Sequence, residues 1–180
     1  VQTCALPICK TYDEVDGIKI YGMQQYAYQC IADKFPNEIK FEMSDMRILA
    51  FDIETACENG FPAPDKADEA VLLISVQRLG SKHITVWGWK DFNKTPSDDF
   101  EYRQFKDEVS MLRNFITFWQ SDYPDAITGW NTDGFDVPYL INRISRLMGE
   151  DNVNRLSPWN IVNSREIHDG FGKRTAWDIV

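Results

Sequence analysis

The stretch I-L-A-F-D-I-E-T, residues 48–55, decides the fold because it is an apolar strand sequence that carries two acidic side chains. Side chains alternate across a strand, so Asp52 and Glu54 share one face while Phe51 and Ile53 lie on the other. Two carboxylates about 6 Å apart repel each other by roughly 2 to 3 kcal/mol at an effective dielectric constant near 20. Some other interaction must therefore offset this repulsion.

The spacing of the two acids is weak evidence by itself. The 180 residues include 18 Asp and 10 Glu, so a D-x-E is expected by chance, and Asp99 and Glu101 form a second one in a segment predicted to be a solvated loop. Asp52 and Glu54 differ because they lie in an apolar strand, where charged groups are rare unless they are paired or bind a metal. A strand end with its polar face in water is the simpler alternative.

Composition and charge limit the function classes. The apolar content of 43% is that of a globular chain, and no run approaches the roughly 18 apolar residues of a membrane span. The first residues lack the features of a signal peptide, so we expect no membrane partner and a cytoplasmic location. A net charge of −9 argues against a protein that coats nucleic acid nonspecifically. Cys30 and Cys57 form no C-x-x-C pair and are expected to be buried, reduced thiols.

The periodicity of apolar residues predicts an α/β domain with a mixed sheet. Alternation predicts strands at 17–23, 39–43, 46–54, 70–77, 83–89 and 126–130. Spacings of three and four predict helices near 24–34, from 104 to about 119, and at 137–148. A hairpin-like connection joins the strands at 70–77 and 83–89, and residues 91–103 are predicted to be a polar loop.

A second motif, T-G-W-N-T-D-G-F-D-V-P-Y-L, spans residues 128–140 and opens the last predicted helix. Asp136 precedes Pro138, so an ordinary helix N-cap explains this acid on its own. Asn131 is equally explained as a turn residue. These two residues point to a functional site only in combination with Asp52 and Glu54.

The order of these motifs resembles that of the DEDD-type 3′–5′ exonucleases. D-I-E on a first strand is followed by a hairpin, a helix and N-x-x-x-F-D at the start of the next helix. The likeness extends to the proofreading domain of family B DNA polymerases, especially the replicative polymerases of T-even-like tailed phages. It is carried by F-D-I-E-T, by G-F-P-A-P at 60–64, by T-G-W-N-T-D-G-F-D-V-P-Y and by L-S-P at 156–158.

The resemblance covers roughly residues 17–180 and implies a ribonuclease-H-like exonuclease fold, a mixed central sheet flanked by helices. It implies that residues 9–44 belong to an N-terminal domain and residues 45–180 to the exonuclease domain, with a β-hairpin insert at 157–180. Residues 1–8 look like a translated sequencing adapter, and we expect the fold to be incomplete at its C-terminus.

The resemblance also implies a two-metal site. Two divalent cations about 3.5 to 4 Å apart hydrolyse a phosphodiester in such enzymes, and Mg²⁺ or Mn²⁺ suits oxygen ligands. Asp52 would bridge both ions, Glu54 would bind the ion that carries the attacking hydroxide, and Asp136 would hold the other ion directly or through water. The cations would then offset the repulsion between Asp52 and Glu54.

Three further residues are implied to contact DNA. Asn131 and Phe135 would line the groove for a frayed, single-stranded 3′ end, and Phe61 would stack on a base. Stacking suits a proofreading enzyme because every base has a π-face. Ordinary core packing is the alternative for both Phe residues. Primer-template DNA is the implied substrate, and a sliding clamp and other replisome proteins are implied partners through other regions of a parent polymerase.

The family's fourth carboxylate, from a Tyr-x-x-x-Asp motif, is missing, because no such motif follows Asp136. We therefore expect the parent protein to be a DNA-directed DNA polymerase with 3′–5′ exonuclease activity and this chain alone to have little activity. A stand-alone DEDD nuclease and a catalytically silent nucleic-acid-binding module are the alternatives. A different nuclease chemistry at Glu38-Ile39-Lys40 is less favoured, because such a triplet is common by chance.

Overall fold

The computed structural model describes residues 26–37, 40, 42–58, 60–93, 97–169 and 172–180. The chain divides into two compact units between Glu42 and Met43, and the first unit contains helix α1, Tyr26–Lys34, as predicted. The predicted strand at 17–23 and residues 38, 39 and 41 lie outside the described residues. The predicted strand at 39–43 is not observed in its described part, because residues 40 and 42 have no regular structure and Met43 begins a 3₁₀ turn, Met43–Asp45. The prediction of a buried thiol is wrong for Cys57, which is exposed in the loop after β1. The domain boundary at 44/45 stays a prediction.

A five-stranded mixed sheet forms the centre of the second unit. Its strands are β1 (Ile48–Thr55), β2 (Val71–Arg78), β3 (Ile84–Gly88), β4 (Phe100–Gln104) and β5 (Ala126–Thr128). They lie side by side in the order β4-β3-β2-β1-β5. β2 is antiparallel to both β1 and β3, whereas β1 with β5 and β3 with β4 are parallel. This arrangement confirms the predicted fold class.

The remaining elements follow the sheet strands or separate them along the chain. The α-helices and strands among them are α2 (Glu108–Ser121), α3 (Val137–Met148), α4 (Glu150–Asn154), β6 (Val162–Asp169) and β7 (Gly172–Ile179), and a π-helical turn, Thr132–Asp136, precedes α3. β6 and β7 form an antiparallel ladder of their own, in the stretch where the resemblance implies a hairpin insert. None of the helices in the described ranges has the length and apolar character needed to span a bilayer.

The prediction of a polar loop over the whole of residues 91–103 is wrong, because β4 begins at Phe100 and pairs with β3. Phe100 and Tyr102 alternate along this strand, and their ring centroids lie 5.6 and 4.8 Å from that of Phe92. The intervening charged residues hide this alternation in the sequence. Backbone pairing with β3 and packing against Phe92 both hold this edge strand in place.

The second D-x-E pair is consequently not a pair of loop carboxylates. Asp99 is exposed in a turn, whereas Glu101 lies on β4 and binds Arg103 through hydrogen bonds of 2.9 and 3.0 Å. The hydrogen bonds from Arg103 lower the pKa of Glu101. This pair lies at the edge of the sheet furthest from β5, three strands away from β1.

The core lies between the apolar face of the sheet and the helices. A capping box between Asp107 and Ser110 begins α2. The Phe51 ring of β1 packs at centroid distances of 6.0 Å from Phe115 and 6.4 Å from Trp119 of this helix. The fully buried side chains include Trp87, Met111, Leu112, Ile116, Tyr139, Ile141 and Ile144.

A buried ion pair joins α2 to α3. Arg143 donates two hydrogen bonds, of 2.8 and 2.7 Å, to the carboxylate of Glu108, and both side chains are about nine-tenths buried. The Glu108 carboxylate also accepts a bond of 2.7 Å from the backbone N–H of Val71, at the start of β2. Hydrogen bonding to Glu108 raises the pKa of Arg143. The pair therefore links both helices to the sheet.

We predict that Arg143→Ala lowers the free energy of unfolding by about 3 to 5 kcal/mol, because it leaves the Glu108 charge buried and unpaired. Arg165→Ala, which removes an exposed ion pair with Asp178, is the control and should cost less than about 1 kcal/mol. Urea unfolding measures both variants. Equal losses of unfolding free energy in the two variants would show that burial does not determine how much these ion pairs stabilise the fold.

Candidate active site

The alternation of β1 places the two acids of D-I-E on one face. Phe51 and Ile53 are buried, at 3% and 4% exposure, whereas Asp52 and Glu54 are exposed. Ser75 of β2 lies opposite Asp52 in the ladder and so offers no charge. Within the described residues, no basic side chain lies within ion-pairing distance of either acid. The described part of the chain therefore supplies no cation to offset the repulsion between them.

A π-helical turn, Thr132–Asp136, brings the third acid to β1. The carbonyl of Asn131 accepts backbone bonds of 2.8 Å from Phe135 and 3.4 Å from Asp136. Asp136 is only 4% exposed, and its Oδ1 accepts a bond of 3.3 Å from the backbone N–H of Ile53. It makes no side-chain cap to α3. Asp136 therefore does not act as the ordinary N-cap that the sequence allowed.

The short strand β5 explains why Asp136 can reach this amide. Among the strands that the structure describes, β5 pairs with β1 only at residues 48–50, and no strand covers that edge of β1 beyond Ala50. The π-helical turn packs against that open edge. π-helical turns are rare in proteins, but those that occur are often found at functional sites. Since Ile53 lies between Asp52 and Glu54, the hydrogen bond places the third carboxylate between the other two along the strand.

The electrostatics agree with this placement. Burial raises the pKa of Asp136, the Ile53 amide opposes that increase, and the charges of Asp52 and Glu54 raise the pKa further. A buried carboxylate beside two others is costly without a cation. The donor set therefore fits hard divalent cations, which prefer carboxylate oxygens.

The three carboxylates do not close into a cage. Among the described residues, no three His, Cys, Asp or Glu side chains lie close enough together to form a preformed metal site. Mg²⁺ commonly completes its coordination shell with water and substrate phosphate, so a site of this kind does not require a closed cage of side chains. Their role as ligands stays a prediction.

The predicted DNA-contacting residues form a surface beside the acids. Phe61 is 84% exposed, and its ring centroid lies 5.5 Å from that of Phe135. Phe135 in turn stacks on Tyr139 at 5.2 Å. Asn131 is exposed, and its amide occupies the space that a side chain at Gly134 would need. Phe61 is thus not a core residue, while Phe135 is half-buried between the solvent-facing ring and the core.

Trp130 is a residue that sequence reasoning missed. Its side chain is fully exposed, and it lines a cleft of about 210 Å³ with Asp52 and Gln77. A larger cleft of about 610 Å³ is lined by Gly134 of the π-helical turn and by Pro138 and Asn142 of α3. The sequence predicts a buried Trp130, because it places this aromatic residue at the end of an apolar strand. The only feature that could have suggested exposure is its position immediately before Asn131.

Comparison with known proteins points to the same family as the sequence motifs. The family model described as DNA polymerase family B, exonuclease domain, matches residues 9–180. The DNA-directed DNA polymerase of Escherichia phage RB69 is 29% identical over 88% of this chain and 20% of its own length. The DNA-directed DNA polymerase of Enterobacteria phage T4 is 28% identical over 91% of this chain and 21% of its own length. The DNA polymerase of Archaeoglobus fulgidus is 29% identical over 73% of this chain and 15% of its own length. The chain spans about a fifth of the length of the two phage relatives.

We predict that Asp136→Asn stabilises the metal-free chain at pH 7 by roughly 1 kcal/mol, because it removes a buried like charge. Asparagine keeps an oxygen that can accept the Ile53 N–H bond. Because the pKa of Asp136 is raised in the folded state, its carboxyl group favours folding at low pH, and this contribution is lost as the pH rises through that pKa. The gain from asparagine should therefore shrink as the pH falls through the same range.

Urea unfolding in the presence of EDTA at several pH values measures this difference. Asp99→Asn, in an exposed turn, is the control and should change little at any pH. If the Asp136→Asn variant is less stable than the unsubstituted chain at every pH, the electrostatic argument is contradicted.

Proposed function

The chain belongs to the exonuclease-domain family of family B DNA polymerases, and from this premise we propose that it is the proofreading 3′–5′ exonuclease part of a replicative DNA polymerase. The observation that carries the proposal is the placement of Asp136. Its hydrogen bond to the Ile53 amide brings a helix-borne acid between the two exposed acids of β1. An ordinary helix cap would not produce this arrangement.

Asp52, Glu54 and Asp136 are proposed to hold two divalent cations, Mg²⁺ or Mn²⁺. When bound, such ions activate a water molecule for attack on phosphorus and stabilise the charge that develops on the departing oxygen. The chain contributes the ligands and their orientation. The Ile53 N–H uses one lone pair of Oδ1 of Asp136, and the other lone pairs of the carboxylate remain for an ion or for its bound water.

The aromatic surface is proposed to receive the single-stranded 3′ end. Phe61 projects into solvent and is backed by Phe135, so its ring offers a face on which a base can stack. Stacking does not depend on base identity, which suits the removal of any mispaired nucleotide. The exposed amide of Asn131 offers a donor and an acceptor beside the same turn.

We extend the proposal to a parent DNA-directed DNA polymerase that acts on primer-template DNA in the cytoplasm of a host cell. The two phage relatives carry that name, and this chain matches about a fifth of each. A sliding clamp and other replisome proteins are proposed as partners of the parent protein. The proposal for the site does not depend on these partners.

We predict that Mn²⁺ binds to the chain and raises its melting temperature, and that Asp52→Asn weakens the binding by about tenfold or more, as expected when a ligand is removed. The Mn²⁺ electron paramagnetic resonance signal counts the free ion directly. A matched control is Glu101→Gln, which alters an acid of the same D-x-E spacing on β4. Mn²⁺ binding that is lost equally in both variants, or in neither, would contradict the site.

We predict that Phe61→Ala weakens the binding of a single-stranded oligonucleotide by about tenfold, because stacking contributes about 1 to 3 kcal/mol per base. Fluorescence of 2-aminopurine at the 3′ terminus reports the stacking, with Ca²⁺ present to prevent hydrolysis. Phe92→Ala removes an aromatic ring that packs on β4 at the opposite edge of the sheet, and it should have no effect. A fluorescence change equally large for an internal 2-aminopurine would argue against recognition of a 3′ end.

A further inference from the structure

One face of α3 contacts the main chain of the loop between β1 and β2. Four side chains at helical spacing, three and four residues apart, donate hydrogen bonds to five consecutive or nearly consecutive carbonyl groups of this loop. The bonds run from Tyr139 to Glu69 (2.7 Å), from Asn142 to Pro64 (2.8 Å), from Arg143 to Ala67 and Asp68 (3.0 Å each) and from Arg146 to Lys66 (3.2 Å). Each bond uses a side chain of the helix and only the backbone of the loop.

The loop has little regular structure of its own to satisfy these carbonyls. A turn forms where the Ala63 carbonyl accepts bonds from Lys66 and Ala67, and the base closes through the Ala56 N–H and the Ala70 carbonyl. Ala67 is completely buried and has a φ of 42°, in the left-handed region that residues other than glycine rarely adopt. Such a conformation persists only where surrounding contacts impose it. Here those contacts include the Arg143 guanidinium on the Ala67 carbonyl and the bond from the Ala67 N–H to the Ala63 carbonyl.

We propose that the polar face of α3 is a clamp that positions Phe61 relative to Asp136, and that Asn142 is a positioning residue for binding of a DNA 3′ end. This inference rests on the proposed function. Phe61 lies three residues before Pro64, whose carbonyl Asn142 holds, and Asp136 immediately precedes α3. The helix that carries the third acid therefore also holds the loop that carries the exposed ring.

Tyr139 contacts both the loop and the aromatic ring of Phe135. Its hydroxyl binds the loop at Glu69, and its ring stacks under Phe135, which contacts Phe61. A displacement of the loop would therefore move the ring surface as well as the turn. The hydrogen bonds of the clamp use only the backbone of the loop, and the side chains of Phe61, Asp65 and Lys66 are exposed to solvent.

Asn142 is the most informative position for a test. It is half-buried, and it contributes one hydrogen bond to the clamp, so its loss should loosen the loop without unfolding the domain. Arg143 is unsuitable because it also neutralises Glu108. Asn152 is a matched control, because it is also half-buried and its Nδ2 donates a bond of 2.7 Å to the Met148 carbonyl, away from the loop.

Amide hydrogen exchange tests the clamp directly in the complete 180-residue chain. Asn142→Ala should speed exchange at the Lys66 and Ala67 amides by about fivefold, the effect of one net hydrogen bond, while Asn152→Ala leaves them unchanged. Asn142→Asp keeps the side-chain volume but loses the donor, and it should act like Ala. Unchanged exchange at these amides in both Asn142 variants would overturn the clamp.

Binding measurements test the positioning role. Asn142→Ala should weaken binding of an oligonucleotide with a 3′-terminal 2-aminopurine by about threefold to tenfold, and it should leave Mn²⁺ affinity unchanged. The effect should be absent when Phe61 is already Ala, because both changes act through the same ring. Equal losses in the presence and absence of the Phe61 ring, or an equal loss in Asn152→Ala, would overturn the positioning role.

Failure of the inference can be distinguished from failure of the proposed function. An unsubstituted chain that binds neither Mn²⁺ nor the oligonucleotide would count against the proposed function and against the positioning of DNA. The exchange rates would still decide whether α3 holds the loop. Normal DNA binding by Asn142→Ala together with faster loop exchange would overturn the positioning role alone.

Discussion

The hydrogen bond between the Ile53 N–H and the Asp136 carboxylate is the contact on which the site depends. It requires an open edge on β1, and β5 provides one by ending its pairing at Ala50. It also requires that α3 begin with an acid aimed away from its own amides, which the π-helical turn allows. β1 pairs with β2 on its other side through Ile53, and the Ile53 side chain is buried, so this bond gives the helix-borne acid a fixed reference point.

The site is assembled at a cost in stability. Three carboxylates at one strand, one of them buried, repel one another and have no basic partner within reach among the described residues. The opposite face of β1 offsets this cost, because Phe51 packs against the rings of Phe115 and Trp119. Conflict between local stability and function is usual at active sites, where groups are arranged for a ligand rather than for the empty fold.

Much of the fold could be predicted from periodicity, whereas the long-range contacts could not. The pattern at 137–148 predicts α3 to the residue, and the alternation at 46–54 predicts β1 within two residues, because apolar burial dominates both elements. Residues 100–104 were misassigned because their charges mask the alternation of Phe100 and Tyr102. Asp52, Glu54 and Asp136 could be identified as candidate ligands only in combination, because each one alone has an ordinary structural explanation. The bond from Ile53 to Asp136 joins residues 83 positions apart, and no local pattern encodes such a contact.

The same limit applies to the loop between β1 and β2. Its Gly and Pro content predicts irregular backbone but does not reveal which groups satisfy its carbonyls. Those groups are polar residues of α3, and in the sequence Asn142, Arg143 and Arg146 look like the solvated side of an amphipathic helix. Arg143 is instead 8% exposed, because the loop covers it. A polar helix face beside a long irregular loop is therefore a reason to examine main-chain contacts, since helix side chains can replace the pairing that a strand would supply.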